Sequence, residues 1–145
     1  MRTLLKVLVI FLALTLVLVP EVTRSIASEI SQKLETSYLL DGRTYVGQKG
    51  GKGMPADSPD EFIFTEGQFR STSCDPYGFG PGAYKATADD GIITFEAVTL
   101  SPTHGQITWR GTVSGDKLDA TFVWTMERWY GDIRKEYWFK GRLKQ

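Results

Sequence analysis

Cysteine and histidine are nearly absent from this sequence: Cys74 and His104 are the single representatives of their types. A lone cysteine excludes an internal disulfide, so a folded domain must rest on packing. One cysteine and one histidine also exclude a protein-ligated zinc site of the usual kind, and no candidate ligands have the usual spacing. No metal and no cofactor is therefore expected. Charge of one sign is lacking as well. The chain carries 17 basic and 17 acidic residues, and they are interspersed rather than blocked. That excludes the basic face of a nucleic-acid-binding protein and the basic patch of an anionic-membrane binder. The glycine-rich stretch Gly47-Gln-Lys-Gly-Gly-Lys-Gly53 lacks the Lys-Ser/Thr ending of a phosphate loop, and no helical pattern follows it.

One long apolar run is present, and it stands at the N-terminus. Arg2 and Lys6 supply positive charge, Leu4–Val19 is nearly unbroken in apolar character, Pro20 ends the run, and Ser25-Ile26-Ala27 offers small residues at a cleavage position. This pattern reads as a secretory signal peptide, residues 1–27, cut after Ala27. The run falls short of the roughly 20 residues that a spanning helix needs, so no permanent membrane span is expected after cleavage. The expected location is secreted or periplasmic, with an uncleaved N-terminal membrane anchor as the alternative. Removing Arg2, Lys6, Arg24 and Glu21 leaves 14 basic and 16 acidic residues in the mature chain. Its length suits one domain with its own core.

Residues 28–42 read as a helical leader. Ile30, Leu34 and Tyr38 recur at helical spacing, and Asp41-Gly42 ends the pattern with a turn. From residue 43 to residue 145 the pattern becomes short alternating runs between turn signals, the mark of an all-β domain. Eight strands are expected: Arg43–Lys49, Glu61–Phe64, Gln68–Ser73, Tyr84–Ala88, Ile92–Leu100, Gln106–Ser114, Lys117–Tyr130 and Arg134–Leu143. The later strands alternate cleanly. Ile107, Trp109, Gly111 and Val113 share one face, as do Leu118, Ala120, Phe122, Trp124 and Met126. One dry and one wet face per strand suits an antiparallel sheet. Eight strands joined by short connections close most naturally into an up-and-down barrel, which removes both edges.

Loop lengths then separate the two barrel ends. In a meander, the first, third, fifth and seventh connections share one end. Here these are Gly50–Asp60, Cys74–Ala83, Ser101–Gly105 and Gly131–Ile133. The other three are tight hairpins. An export signal, a short helical leader and an eight-stranded meander resemble the calycin group, the lipocalins and avidin-like barrels, over Arg43–Leu143. The likeness is architectural: where lipocalins carry Gly-x-Trp, this chain has Gly42-Arg43-Thr44-Tyr45, and Trp109-Arg110-Gly111 does not replace it. The resemblance implies a ligand-binding or inhibitory barrel rather than an enzyme.

Candidate site residues gather at the long-loop end. The stretch Tyr77-Gly-Phe-Gly-Pro-Gly-Ala-Tyr84 is a lid or a plug, with Tyr77 and Phe79 lining or filling the barrel mouth. Trp109 and Trp124 lie on inward faces, where an indole stacks on an apolar ligand or simply completes the core. Arg128 continues the inward phase of Trp124 and Met126 and would meet a carboxylate or phosphate, unless a bulge turns it to solvent. Cys74 and His104 are the one nucleophile-and-base pairing available. Three readings follow. The first is an exported barrel binding a small, partly apolar molecule through Tyr77, Phe79, Trp109, Trp124 and Arg128. The second is a filled barrel acting on a protein partner through its loops, as an inhibitor or envelope factor. The third is a Cys74/His104 enzyme.

Overall fold

The computed structural model describes residues 22–30 and 38–145. They fall in two units, Met1–Glu35 and Thr36–Gln145. In the first, residues 22–30 form a helix that is exposed along its length. The expected cut after Ala27 falls within this helix. The apolar run Leu4–Val19 and the middle of the expected leader lie outside the described residues. Tyr38 does not continue a helix, because residues 38–42 form a turn. Among the described residues no helix is long and apolar enough to cross a membrane.

The second unit is the expected all-β barrel. Its strands are β1 (Thr44–Gly51), β2 (Ser58–Thr65), β3 (Gln68–Ser71), β4 (Gly82–Asp89), β5 (Ile92–Ser101), β6 (Gly105–Ser114), β7 (Lys117–Met126) and β8 (Ile133–Leu143). Every strand pairs with the next, and β8 pairs with β1 to close the ring. The closing seam runs antiparallel from Tyr45 opposite Leu143 to Gly51 opposite Tyr137. Gly47 faces Gly141 there, and a Cβ on Gly47 would stand 2.0 Å from the Lys140 carbonyl oxygen. The seam closes because this position carries no side chain.

Period-two alternation supplies the core. Tyr45, Phe62, Phe64, Phe69, Phe95, Trp109 and Phe139 are all below 2% exposed. Their rings fill the barrel axis. Phe62 stacks on Phe139 with centroids 3.8 Å apart, and Trp109 meets Phe62 edge-on at 5.3 Å. Room for so many rings comes from small partners: a Cβ on Gly111 would stand 2.4 Å from the Phe95 ring. Aromatic pairs of this kind add to the burial term itself. The Trp109 indole N–H donates to Thr99 Oγ1 at 2.9 Å, so the buried dipole is satisfied.

The hairpin end is shut by the chain that enters the barrel. Leu40, fully buried, belongs to the turn ahead of β1. Asp41 ties this turn down by accepting from the Gly67 N–H at 3.1 Å and from the Tyr84 hydroxyl at 2.7 Å, while the Leu40 N–H donates to Tyr84 Oη. Burial, reinforced by the Asp41 carboxylate, pushes the Tyr84 phenol far above its ordinary range. The opposite end carries the connections between β1 and β2, β3 and β4, β5 and β6, and β7 and β8, as the loop lengths foretold.

Candidate functional site

The barrel is filled in its lower part and hollow near the long-loop end. A cavity of about 240 Å³ opens there, lined by Lys49, Ser73, Cys74, Tyr77, Phe79, His104, Ile107, Phe122, Trp124 and Tyr137. Its floor is the top of the aromatic stack, with Phe122 lying on Trp109 at 4.4 Å and on Tyr137 at 5.0 Å. A wider depression of about 730 Å³ runs past Lys85, Glu96, Arg110 and Lys140. It is open to solvent and mixes both signs of charge, so it is a surface groove rather than an enclosed site.

The wall between β3 and β4 is built on one carboxylate. Asp60 lies on the inward side of β2 and is 4% exposed. It accepts from Ser71 Oγ at 2.6 Å, Ser73 Oγ at 2.7 Å, the Ser73 N–H at 2.9 Å and the Glu61 N–H at 2.8 Å. A buried charge persists when hydrogen bonds replace its water, and here they do. They also hold the 3-10 helix Thr72–Tyr77, which ends where Gly78 adopts φ +80°. That helix carries Cys74 and Tyr77 to the cavity. From the other side, Ser101 Oγ donates to the Tyr77 carbonyl at 2.7 Å and accepts from the Thr103 and His104 N–H groups. The loop is thus tethered on both flanks.

Five of the seven residues singled out in the sequence therefore meet at one place: Cys74, Tyr77, Phe79, His104 and Trp124 all line the cavity. Phe79 is 6% exposed and plugs, whereas Tyr77 is 55% exposed and stands at the rim. The Trp124 indole N–H donates to the His104 carbonyl at 2.6 Å, leaving its ring to the cavity. Trp109 and Arg128 belong elsewhere. Trp109 is wholly buried one layer below the cavity, covered by Phe122. Arg128 is not inward, because β7 ends at Met126 instead of running to Tyr130. The Asp132 carboxylate accepts the Arg128 N–H and shapes a turn, and the guanidinium turns to the Tyr130 hydroxyl and Met126 Sδ.

Lys49, Ser73, Ile107, Phe122 and Tyr137 complete the wall without having been singled out. Ile107, Phe122 and Tyr137 share the inward phase that the alternation shows. Lys49 has an equally simple signal: Tyr45, Gly47 and Lys49 are alternate residues of β1, and Tyr45 is fully buried.

Cys74 and His104 share the cavity but form no couple. Cys74 is 8% exposed, and its sulfur lies 3.3 Å from Ser71 Oγ, whose one proton goes to Asp60, so the S–H donates to that oxygen. Burial pushes its thiol above the ordinary range, and the Asp60 charge adds to this, outweighing the hydrogen bonds with Ser71 and Ser73. The His104 Nδ1 bonds Thr103 Oγ1 at 2.9 Å, and its ring packs edge-on against Tyr77. Among the described residues no hydrogen bond links the two. Burial favours the thiol over the thiolate here, the reverse of what activates a nucleophile.

Comparison with family models, curated proteins and solved structures finds no match. The architecture is compatible with a calycin-like barrel, and function must be argued from the cavity itself.

The thiol offers a direct check of this geometry. Alkylation of Cys74 by iodoacetamide at pH 8.5 is expected to be at least about tenfold slower in the native protein than in urea, because only the thiolate reacts. The same shift links to stability. The fold prefers the protonated thiol, so stability is held below the unfolded thiol's pKa and declines as pH rises above it. Tyr137, also raised by burial and then by Asp57, and Tyr84 extend the decline to higher pH. Urea midpoints measured between pH 7 and pH 10 should fall monotonically.

Proposed function

We propose that this protein binds a small, partly apolar molecule in the cavity at the long-loop end of its barrel. The carrying observation is the composition of the wall. Phe79, Ile107, Phe122, Trp124 and Tyr137 present apolar surface, and Lys49, Ser73, Cys74 and His104 place a few polar groups among them. Binding pockets combine a mostly apolar lining with a few fixed polar groups in this way. The volume sets the ligand's size: about 240 Å³ lies below the roughly 300–1,000 Å³ of pockets for drug-sized ligands. The ligand is fragment-sized. The N-terminal apolar run supports an exported setting.

Trp124 provides the assay. Fragment-sized aromatic and aliphatic amphiphiles should shift or quench the intrinsic fluorescence, and Trp124→Phe should abolish the response while Trp109→Phe keeps it. Emission unchanged by every member of such a panel would sink the reading.

A second reading, contact with a protein partner through the loops, is favoured by the turn between β7 and β8. Trp129 there is 96% exposed and Tyr130 is 62% exposed. Large aromatic groups standing in water are a common feature of binding surfaces. Because Phe79 is buried, that surface would be Trp129 and Tyr130 rather than Tyr77 with Phe79. Neither Trp129 nor Tyr130 lines the cavity, so the two readings are separable.

A further inference from the structure

We infer that the ligand is an anion, a fragment-sized monocarboxylate whose head sits between Lys49 and Tyr137. The inference rests on the reading of the cavity as a ligand site and adds the ligand's charge and chemical class.

Lys49 is the only Lys, Arg, Asp or Glu among the ten lining residues. It points inward in phase with Tyr45 and is half-buried. Its ammonium makes no hydrogen bond or ion pair among the described residues, whereas Lys52 and Arg134 near the same end both pair with Glu136. A partly desolvated cation without a partner is costly to the free protein. An anion arriving there gains a charge-assisted hydrogen bond that no described residue already supplies.

The neighbouring carboxylates keep their charge, but each holds hydrogen-bond donors of its own and neither pairs with Lys49 among the described residues. Asp60 is saturated by Ser71, Ser73 and two backbone N–H groups behind the wall. Asp57 is outside the lining and accepts from Ser58 Oγ at 2.5 Å.

Tyr137 supplies the second donor. Its hydroxyl has no hydrogen-bond partner among the described residues, and the side chain lines the cavity. Burial raises its phenol pKa, with Asp57 adding to the effect, so it remains a donor. Lys49 stands opposite Phe139 in the seam, and Tyr137 is two residues from Phe139 on the same inward face. Diagonal neighbours of this kind lie about 7–8 Å apart at the backbone, within reach of two long side chains. One ammonium and one phenol suit the two oxygens of a single carboxylate. A dianion would need more positive charge than the wall contains. A second cation stands close by, since Lys135 Nζ lies 5.8 Å from the Trp124 ring centroid.

The test is calorimetric titration of the full chain with phenylacetate and its neutral counterpart phenylacetamide. Phenylacetate should bind about tenfold tighter, the ratio one charge-assisted hydrogen bond supplies. Lys49→Met should erase that preference, bringing phenylacetate down to the amide's affinity, and an unchanged circular dichroism spectrum and urea midpoint show that the variant is folded. Tyr137→Phe should reduce the preference in part. Equal affinity for acid and amide in the unaltered protein, or a preference that survives Lys49→Met, overturns the anion inference and leaves the cavity reading standing. Binding of neither probe overturns the inference, and with a silent Trp124 across the wider panel it overturns the cavity reading too.

Discussion

Trp109→Ala should lower the stability of the barrel by about 3–5 kcal/mol, the usual cost of truncating a large buried aromatic residue. The expectation follows from position. Trp109 is wholly buried and touches Phe62, Phe69 and Phe122, rings contributed by β2, β3 and β7. Through Phe62 and Phe69 it therefore joins β6 to β2 and β3, which are not its neighbours in the sheet, across the barrel axis. The substitution removes the ring, leaves a void that a closed barrel cannot collapse around, and strands Thr99 Oγ1 without its donor. Small domains hold only about 5–15 kcal/mol in total, so the loss is a large fraction. Urea unfolding followed by circular dichroism measures it. A loss below about 1 kcal/mol would mean that the ring is not packed as described.

Asp60→Ala should cost about 3 kcal/mol, for a different reason. The side chain contributes little apolar area. Its removal instead orphans the hydroxyls of Ser71 and Ser73 and the Ser73 N–H, each unsatisfied buried group costing about 1–3 kcal/mol before water enters. The Glu61 N–H keeps a second acceptor in Thr72 Oγ1. Asp60→Asn, which retains one acceptor oxygen, should lose less. The two variants Trp109→Ala and Asp60→Ala differ in a way that denaturation alone would miss. Asp60 holds the 3-10 helix that carries Cys74, so its loss should speed alkylation of Cys74 under native conditions. Trp109→Ala should leave that rate near the parent value when unfolding is suppressed. Equal alkylation rates in Asp60→Ala and the parent would show that the helix is held by other contacts.

Much of the fold was legible because each strand carries its own record of burial. The runs of β6 and β7 up to Trp124 alternate cleanly, and Asp90-Gly91, Gly115-Asp116 and Gly131-Asp132 mark three of the turns, so strand number and hairpin positions follow largely from local chemistry. The gathering of Cys74, Tyr77, Phe79 and His104 at one end was legible for a related reason: in a meander, the parity of a loop decides its end. Arg128 shows where such reasoning stops. Its phase was counted along a strand, but a strand ends where tertiary contacts end, and the Asp132 side chain turns the chain there. Lys49 is the converse. Its inward phase was visible in Tyr45, Gly47 and Lys49, yet a lysine in a glycine-rich stretch resembles an ordinary solvated residue until β1 is seen closing on β8.

Alternation and turn chemistry thus determine, from the sequence by itself, an eight-stranded antiparallel barrel with one tight end and one looped end. They act between near neighbours, and near neighbours suffice to set strand, turn and face. Whether that barrel is filled or hollow depends on how Phe62, Trp109, Phe122 and Phe139 divide the axis between them, and this is settled only when the ring closes. The same closure places the Lys49 ammonium and the Tyr137 hydroxyl, 88 positions apart in the chain, in the wall of one cavity, where neither has a hydrogen-bond partner among the described residues.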